Sequence, residues 1–253
     1  MKMIIDKWII GVICYVFVMY AFVTRTFDES FLIAFTPIML ISALAITTSL
    51  TLNLVFHYRT KSRRFTTSYV FLSIAFAGYT IAEILYGVFD ITGIDPYPST
   101  IVEPFYGVYF VASSMFCLTL FWCRKELIQR RMVIVSILAA VAFFATYLIL
   151  SLEYVDSEYF ATSTIMMIMS SALLGSSTLT TITLWKAPQL RKVWMIIGIA
   201  LFCNGIADIS YYSNINNDHF LYSDVSNIIW FGTALMIFYA AYKHRFLYMR
   251  QKQ

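Results

Sequence analysis

The chain has 253 residues, of which 60% are hydrophobic and 13% charged, with a mean hydropathy of +0.74 and a formal net charge of +4. A soluble domain of this length has roughly 25% charged residues, so the composition excludes an ordinary soluble globular protein. The basic residues form short clusters between apolar runs instead of one patch, which excludes a nucleic-acid-binding protein.

Eight apolar runs follow one another along the chain, and each is long enough to cross about 30 Å of hydrocarbon as a helix. Their approximate limits are 8–23, 31–56, 66–89, 101–122, 132–152, 162–185, 193–212 and 225–242. The first run lacks a small-residue cleavage site and is followed directly by Arg25, so we predict a retained span and not a signal peptide. We therefore predict an all-α polytopic membrane protein with eight transmembrane helices and short connectors.

Basic and acidic residues lie in alternate connectors, which predicts the orientation of the spans. The connectors after the second, fourth and sixth runs and the two chain ends hold every Lys and Arg except Arg25. Acidic residues such as Asp90, Asp95 and Glu153 concentrate in the remaining connectors. We predict a multi-pass protein of the cell membrane with both termini in the cytoplasm.

The third and seventh runs contain similar segments, 73–86 and 198–211, in which Glu83 corresponds to Asp208. A loop and a segment running from serine to an aromatic residue follow in both halves. The positions matched in these segments are Ser99 with Ser223, Glu103 with Asn227, and Tyr106 with Trp230. Because four spans per half is an even number, these similarities predict two parallel four-helix repeats, residues 1–126 and 127–253, within one membrane domain.

Glu83 and Asp208 are the sharpest candidates for a functional site, because a carboxylate within hydrocarbon costs at least ~2.5–3.5 kcal/mol and normally faces a partner or a cavity. The pocket candidates are Tyr79, Glu83, Tyr86, Asn204, Asp208 and Tyr211, with Glu103, Tyr106, Asn227 and Trp230 as secondary candidates. Two interpretations stay open. The carboxylates either form an outward-opening pocket for a cation, proton or polar ligand, or only tie helices together by hydrogen bonds.

Other polar positions have competing structural explanations. Thr100 and Glu103 fit a capping box at the start of the fourth span, so a helix cap competes with a ligand role for Glu103. The hydroxyl-rich stretches 47–51 and 170–181 either pack helices together or line a hydrated path.

No recognisable catalytic or metal-binding set is present. His57 and His244 are expected among cytoplasmic basic residues and His219 in an outer loop, without HxxxH or HExxH spacing. The four cysteines lack CxxC spacing and are expected to be reduced thiols. We predict no catalytic residue and no metal site, we assign no cofactor, and an enzyme is disfavoured.

Several segments resemble a multi-span module of archaeal and bacterial signalling proteins. These segments are Ala82-Glu83, Asp95-Pro-Tyr-Pro-Ser99, Glu103 and Phe105-Tyr106, with Ala207-Asp208 and Ser223, Asn227 and Trp230 as a degenerate second copy. In those proteins the module precedes a histidine-kinase or diguanylate-cyclase domain, which implies that it senses a signal at or in the membrane. This chain ends shortly after its last predicted span, so the resemblance implies output through a partner.

Three hypotheses follow. The first is a stand-alone sensor or accessory subunit, with the lipid bilayer and a membrane or cytoplasmic signalling protein as partners. The second is a small-solute or ion transporter with a polar pocket at Glu83 and Asp208, and the third is a membrane-embedded lipid enzyme. The identity of the ligand and the oligomeric state do not follow from the sequence.

Overall fold

The computed structural model describes residues 2–93, 101–122, 125–157, 159–185, 191–216 and 221–249, which contain α-helices and no strand. The helices are α1 (Lys2–Thr26), α2 (Glu29–Tyr58), α3 (Arg63–Ile91), α4 (Glu103–Trp122), α5 (Arg130–Ser151), α6 (Phe160–Leu184), α7 (Arg191–Ile215) and α8 (Val225–Met249). Short 3₁₀ turns, Lys125–Leu127 and Leu152–Tyr154, lie on either side of α5. The predicted all-α fold is confirmed.

Seven of the described helices, all except α4, are long and apolar enough to cross a membrane. Large apolar side chains cover the outside of the bundle; Trp8, Ile137 and Ile149, for example, are 71%, 57% and 70% exposed. Soluble monomers rarely present so extensive an apolar surface, whereas lipid contact suits it. The chain therefore has the make-up of a membrane protein, and the eighth span stays a prediction.

Six helices form a closed ring in the order α2, α3, α4, α6, α7 and α8, with α8 packed against α2. α1 lies outside the ring against α8, and α5 lies outside it against α6 and α7. These two outer helices are also the least buried of the candidate spans. The polar positions of the third and seventh helices are thus placed inside a ring built by both halves of the chain.

Local sequence signals define the two ends of α3, the helix that contains Glu83. The Ser62 hydroxyl accepts a hydrogen bond from the backbone N–H of Phe65 at 3.4 Å and caps the first turn. After the last turn, Gly93 has φ +71°, a left-handed conformation that glycine adopts without a steric penalty.

α3 and α4 approach each other closely because Gly78 lacks a side chain. A Cβ atom at this position would lie 3.0 Å from Val108 Cγ1 and 3.1 Å from the carbonyl oxygen of Phe105. The backbone carbonyl cannot rotate away as a flexible side chain can, so the contact depends on glycine. The close approach brings the first turns of α4, including Tyr106, beside the Glu83 turn of α3.

Hydroxyl groups of α2 and α6 make matching contacts with the opposite half of the chain. Thr47 Oγ1 on α2 donates to the carbonyl oxygen of Ala234 on α8 at 3.3 Å. Thr180 Oγ1 on α6 donates to the carbonyl oxygen of Cys117 on α4 at 3.0 Å. Both contacts join neighbouring helices. They agree with helix packing, one of the two roles considered for the hydroxyl-rich stretches 47–51 and 170–181.

Some predicted features lie outside the described residues. They include the segment Asp95-Pro-Tyr-Pro-Ser99, which contributes to the family resemblance, and Thr100, the first residue of the predicted capping box. His219 in the predicted outer loop also lies outside them. Glu103 is described and is the first residue of α4.

Candidate functional site

All ten candidate residues line one cavity inside the ring, near the end where α3 finishes and α4 begins. They come from α3 (Tyr79, Glu83, Tyr86), α4 (Glu103, Tyr106), α7 (Asn204, Asp208, Tyr211) and α8 (Asn227, Trp230). We call this cavity the central pocket. Polar side chains from both halves of the chain therefore meet at one place, and their role in binding stays a prediction.

Asp208 is fully hydrogen-bonded by its neighbours and only 4% exposed. Oδ2 accepts a hydrogen bond from Ser170 Oγ of α6 at 2.6 Å, and Oδ1 accepts one from Trp230 Nε1 of α8 at 3.0 Å. Asn204 Nδ2, one turn earlier on α7, lies 3.2 Å and 3.1 Å from the two oxygens. Because both oxygens have two donors, Asp208 ties three helices together without any ligand.

Glu83 has a much poorer set of partners. Its Oε1 accepts a hydrogen bond from the Tyr106 hydroxyl at 3.0 Å, while none of the described residues forms a hydrogen bond with Oε2. The side chain is 8% exposed and lines the central pocket. Polar atoms of a largely buried side chain are normally hydrogen-bonded, so an oxygen without a partner among the described residues is available to a molecule in the pocket.

The two carboxylates have equivalent aromatic partners. Tyr106 on α4 donates to Glu83 on α3, and Trp230 on α8 donates to Asp208 on α7, both at 3.0 Å. The positions aligned by the sequence comparison of the two halves therefore make the same kind of contact. The difference between the halves is in the remaining donors, which Asp208 has and Glu83 lacks.

Aromatic side chains make up most of the pocket wall. They are Tyr79, Tyr86, Tyr106, Tyr109, Phe110, Tyr211, Tyr212, Tyr222 and Trp230. No Lys or Arg of the described residues lines the pocket. The cavity measures about 40 Å³, room for roughly three water molecules, whereas drug-sized ligands need about 300 Å³ or more. The pocket suits a very small ligand without negative charge.

The segment 221–224 between α7 and α8, here called the lid, contributes Tyr222 to the pocket wall at this end of the ring. Glu29 at the start of α2 accepts hydrogen bonds from the backbone N–H groups of Tyr222 and Ser223, both at 3.0 Å, and also from the Ser223 hydroxyl. The Tyr222 hydroxyl donates to Asp90 at the end of α3 at 2.6 Å. Burial, and then this hydrogen bond, raise the pKa of Tyr222, so the hydroxyl remains a donor at neutral pH.

Asn227, a secondary candidate, supports the lid. Its Nδ2 donates to the carbonyl oxygen of Tyr222 at 3.1 Å. Nearby, Asp224 Oδ2 accepts hydrogen bonds from Asn214 Nδ2 at 3.1 Å and from the backbone N–H of Leu221 at 3.2 Å. The amide group of Asn227 therefore holds the lid, although the residue also lines the pocket.

The opposite end of the ring contains a buried polar group that the sequence did not predict. His244, expected among basic residues outside the spans, is fully buried near the end of α8. The rings of Tyr58, Phe65, Tyr69 and Trp194 surround it at centroid distances of 5.4, 5.0, 5.5 and 6.0 Å. The Tyr69 hydroxyl lies 2.5 Å from Nδ1, and Nε2 has no hydrogen-bond partner among the described residues. We call these five residues the His244 cluster.

Sequence reasoning missed pocket residues whose position depends on helix neighbours. Ser170 belongs to a hydroxyl-rich stretch, and nothing local indicates that it reaches Asp208 on another helix. Tyr222 lies in a loop, and a hydropathy profile does not predict which loop side chains line a pocket. Tyr109 had an available signal, because it follows Tyr106 by three positions and so shares a face of α4 with it.

No protein-family profile matches the chain, and neither a curated protein nor a solved structure is detectably similar to it. The function is therefore argued from the chemistry of the site. Within the part of the chain that the structure describes, no group of three His, Cys, Asp or Glu side chains is placed to hold a metal ion. The site offers three carboxylates and a largely aromatic wall. Asp208 is saturated with hydrogen bonds, and Glu83 has one oxygen without a partner among the described residues.

Proposed function

We propose that the chain is a receptor-like integral membrane protein whose central pocket binds a small polar ligand from outside the cell and passes the signal to a partner protein. The observation that carries this proposal is the convergence of polar groups from both halves on one pocket. Burying such groups in hydrocarbon is costly, and they normally face a partner or a cavity. The membrane-sensor resemblance agrees with this function.

The distribution of charge supports eight spans with both termini in the cytoplasm. The basic residues Arg59 and Lys61 lie at the end of the ring that holds the His244 cluster. The acidic residues Glu29, Asp90 and Asp224 lie at the pocket end. Cytoplasmic connectors are typically rich in Lys and Arg, so the pocket end faces outward in this arrangement. Eight spans result when α4 also crosses the membrane, together with the seven long apolar helices.

Two parallel four-helix repeats, residues 1–126 and 127–253, account for the matching contacts. In the ring α4 packs against α6 and α8 against α2, so each junction joins the fourth helix of one half to the second helix of the other. The hydroxyl contacts of Thr47 and Thr180 lie at these two junctions. Such an arrangement is typical of repeats related by a pseudo-two-fold axis along the membrane normal.

The packing beyond the pocket favours a receptor over a transporter. Leu44, Phe76 and Ile237 are buried between the pocket and the opposite end, and the His244 cluster follows them. The cluster is built by α2, α3, α7 and α8, which also line the pocket. A ligand that shifts these helices would therefore repack the cluster at the proposed cytoplasmic end, where a partner can respond.

A small-solute or ion transporter is the second candidate. A pocket between two repeats is a typical place for a transported substrate, and both repeats supply acidic residues to this pocket, Glu83 and Glu103 from the first and Asp208 from the second. Transport requires the pocket to open to both sides in turn, whereas reception requires access from one side. No arrangement of the described residues favours the lipid-enzyme alternative.

Labelling a cysteine in the pocket from each side of the membrane tests the proposal. Tyr222→Cys, in a chain whose natural cysteines are replaced by serine, places a thiol at a half-buried position of the pocket wall, where a reagent can reach it without entering the cavity. In sealed vesicles of known orientation, we expect a charged, membrane-impermeant thiol reagent to label this variant from the outer side only.

The matched control is Thr47→Cys on α2, because Thr47 is fully buried whereas Tyr222 is half-buried. It should remain unlabelled from both sides. Labelling of Tyr222→Cys from both sides would favour the transporter, and labelling from neither side would contradict an outward-opening pocket.

A further inference from the structure

We infer that the ligand of the central pocket is a small ammonium-type cation, of the size of ammonium or methylammonium, whose charge is matched by Glu83. This inference rests on the proposed function, because it names the ligand class of the same pocket. Three features carry it: an unmatched carboxylate oxygen, an unmatched amide oxygen and an aromatic wall in a very small cavity.

The first feature is the difference between the two carboxylates. Asp208 is saturated by three neighbouring side chains, so a ligand has nothing to add there. Glu83 has the Tyr106 hydroxyl on Oε1, and none of the described residues offers Oε2 a donor or an acceptor. The described residues therefore leave one oxygen of this side chain unmatched in its ionised and in its protonated form. A cation supplies both the missing donor and the missing charge.

The second feature is the amide oxygen of Asn204. Asn204 Nδ2 donates to both carboxylate oxygens of Asp208. This contact identifies the nitrogen end of the amide, so Oδ1 is the atom on the other side. Oδ1 is buried and has no hydrogen-bond partner within the described part of the chain. Asn204 lines the pocket, so a donor inside the pocket is the natural partner for this oxygen.

The third feature is the composition of the wall. Aromatic rings attract cations through their negative faces, and aromatic cages are the usual means by which proteins recognise ammonium groups. The pocket has nine aromatic side chains in its wall and, among the described residues, no Lys or Arg. An anion would meet three carboxylates and, among the described residues, no positive charge, so the wall selects against it.

The size of the cavity and the number of oxygen atoms available to a cation further restrict the class of ligand. A cavity of about 40 Å³ admits roughly three waters, which suits ammonium or methylammonium and not a bulky quaternary amine. Ca²⁺ takes six to eight oxygen ligands, and Mg²⁺ keeps several waters in a strict octahedron. Two unmatched oxygens, those of Glu83 and Asn204, do not meet either requirement. They do suit an ion that donates N–H groups.

The test uses the purified full chain in lipid nanodiscs, with thermal unfolding as the readout and ionic strength held constant with sodium chloride. We expect ammonium and methylammonium chloride to raise the midpoint by about 5 °C at a hundredfold excess over the dissociation constant, and further with the logarithm of their concentration. Tetramethylammonium, which has the same charge but is too large, and acetamide, which is small but neutral, should have no effect.

Glu83→Gln should weaken methylammonium binding at least tenfold, whereas Glu153→Gln, which removes an exposed carboxylate outside the pocket, should leave it unchanged. If Glu83→Gln does not fold, Glu83→Asp and the wild-type selectivity series decide the question. Stabilisation by acetamide or acetate equal to that by methylammonium would overturn the cation assignment and leave the pocket standing. A pocket that labels at Tyr222→Cys from outside but responds to none of these cations would also overturn the assignment, whereas failure to label would instead overturn the proposed function.

Discussion

Asp208→Ala should lower the free energy of unfolding by about 3 kcal/mol, whereas Glu83→Ala should change it by about 1 kcal/mol or less. Removing the Asp208 carboxylate leaves donors of Ser170, Asn204 and Trp230 without acceptors, at about 1 kcal/mol each. Removing Glu83 breaks one hydrogen bond, from Tyr106, and also removes a half-satisfied buried carboxylate, and these two effects oppose each other.

Equilibrium unfolding of both variants in mixed micelles measures this difference. The two substitutions form a matched pair, since both truncate an acidic side chain at aligned positions of the two halves. If they destabilise the protein equally, the carboxylates are energetically equivalent, and the assignment of Glu83 as the ligand-binding member of the pair is wrong.

His244→Ala should lower the free energy of unfolding by about 3–5 kcal/mol, the usual cost of truncating a buried aromatic side chain. His244 is fully buried among four aromatic rings, so alanine leaves a cavity that the rigid rings cannot fill. The Tyr69 hydroxyl also loses its contact with Nδ1. The same unfolding experiment measures the loss.

His57→Ala is the matched control, because His57 lies at the same end of the ring but is only half-buried. It should change the stability by about 0.5 kcal/mol or less. His244→Phe should recover most of the loss caused by alanine, since a ring of similar size refills the cluster. Equal effects of the two alanine substitutions would show that the His244 cluster does not close this end of the ring.

Hydropathy predicts the helices of this chain closely, because bilayer thickness sets their length. The predicted run 66–89, for example, lies within the helix Arg63–Ile91. The candidate residues are also accessible to sequence reasoning, since a carboxylate such as Glu83 or Asp208 is conspicuous among apolar neighbours. Their common location around one pocket depends on helix packing, and in the sequence only the predicted repeat indicated it.

Other features of the site could not be predicted from the sequence, because they depend on which helices pack against each other. The difference between Glu83 and Asp208 comes from Ser170, which reaches Asp208 only because α6 packs against α7. His244 was missed for another reason. A hydropathy window averages over all faces of a helix, so the polar neighbours Lys243 and Arg245 conceal that the side chain between them points into the ring.

The most direct test of the account is hydrogen exchange of the full chain in nanodiscs, with and without saturating methylammonium. If occupancy of the central pocket is communicated across the membrane, exchange will slow in the lid, residues 221–224, and will also change at residues 243–249 of α8, around His244. Glu83→Gln should abolish both changes. A change confined to the lid, or no change at either end, would contradict a receptor in which this pocket controls the opposite side of the membrane.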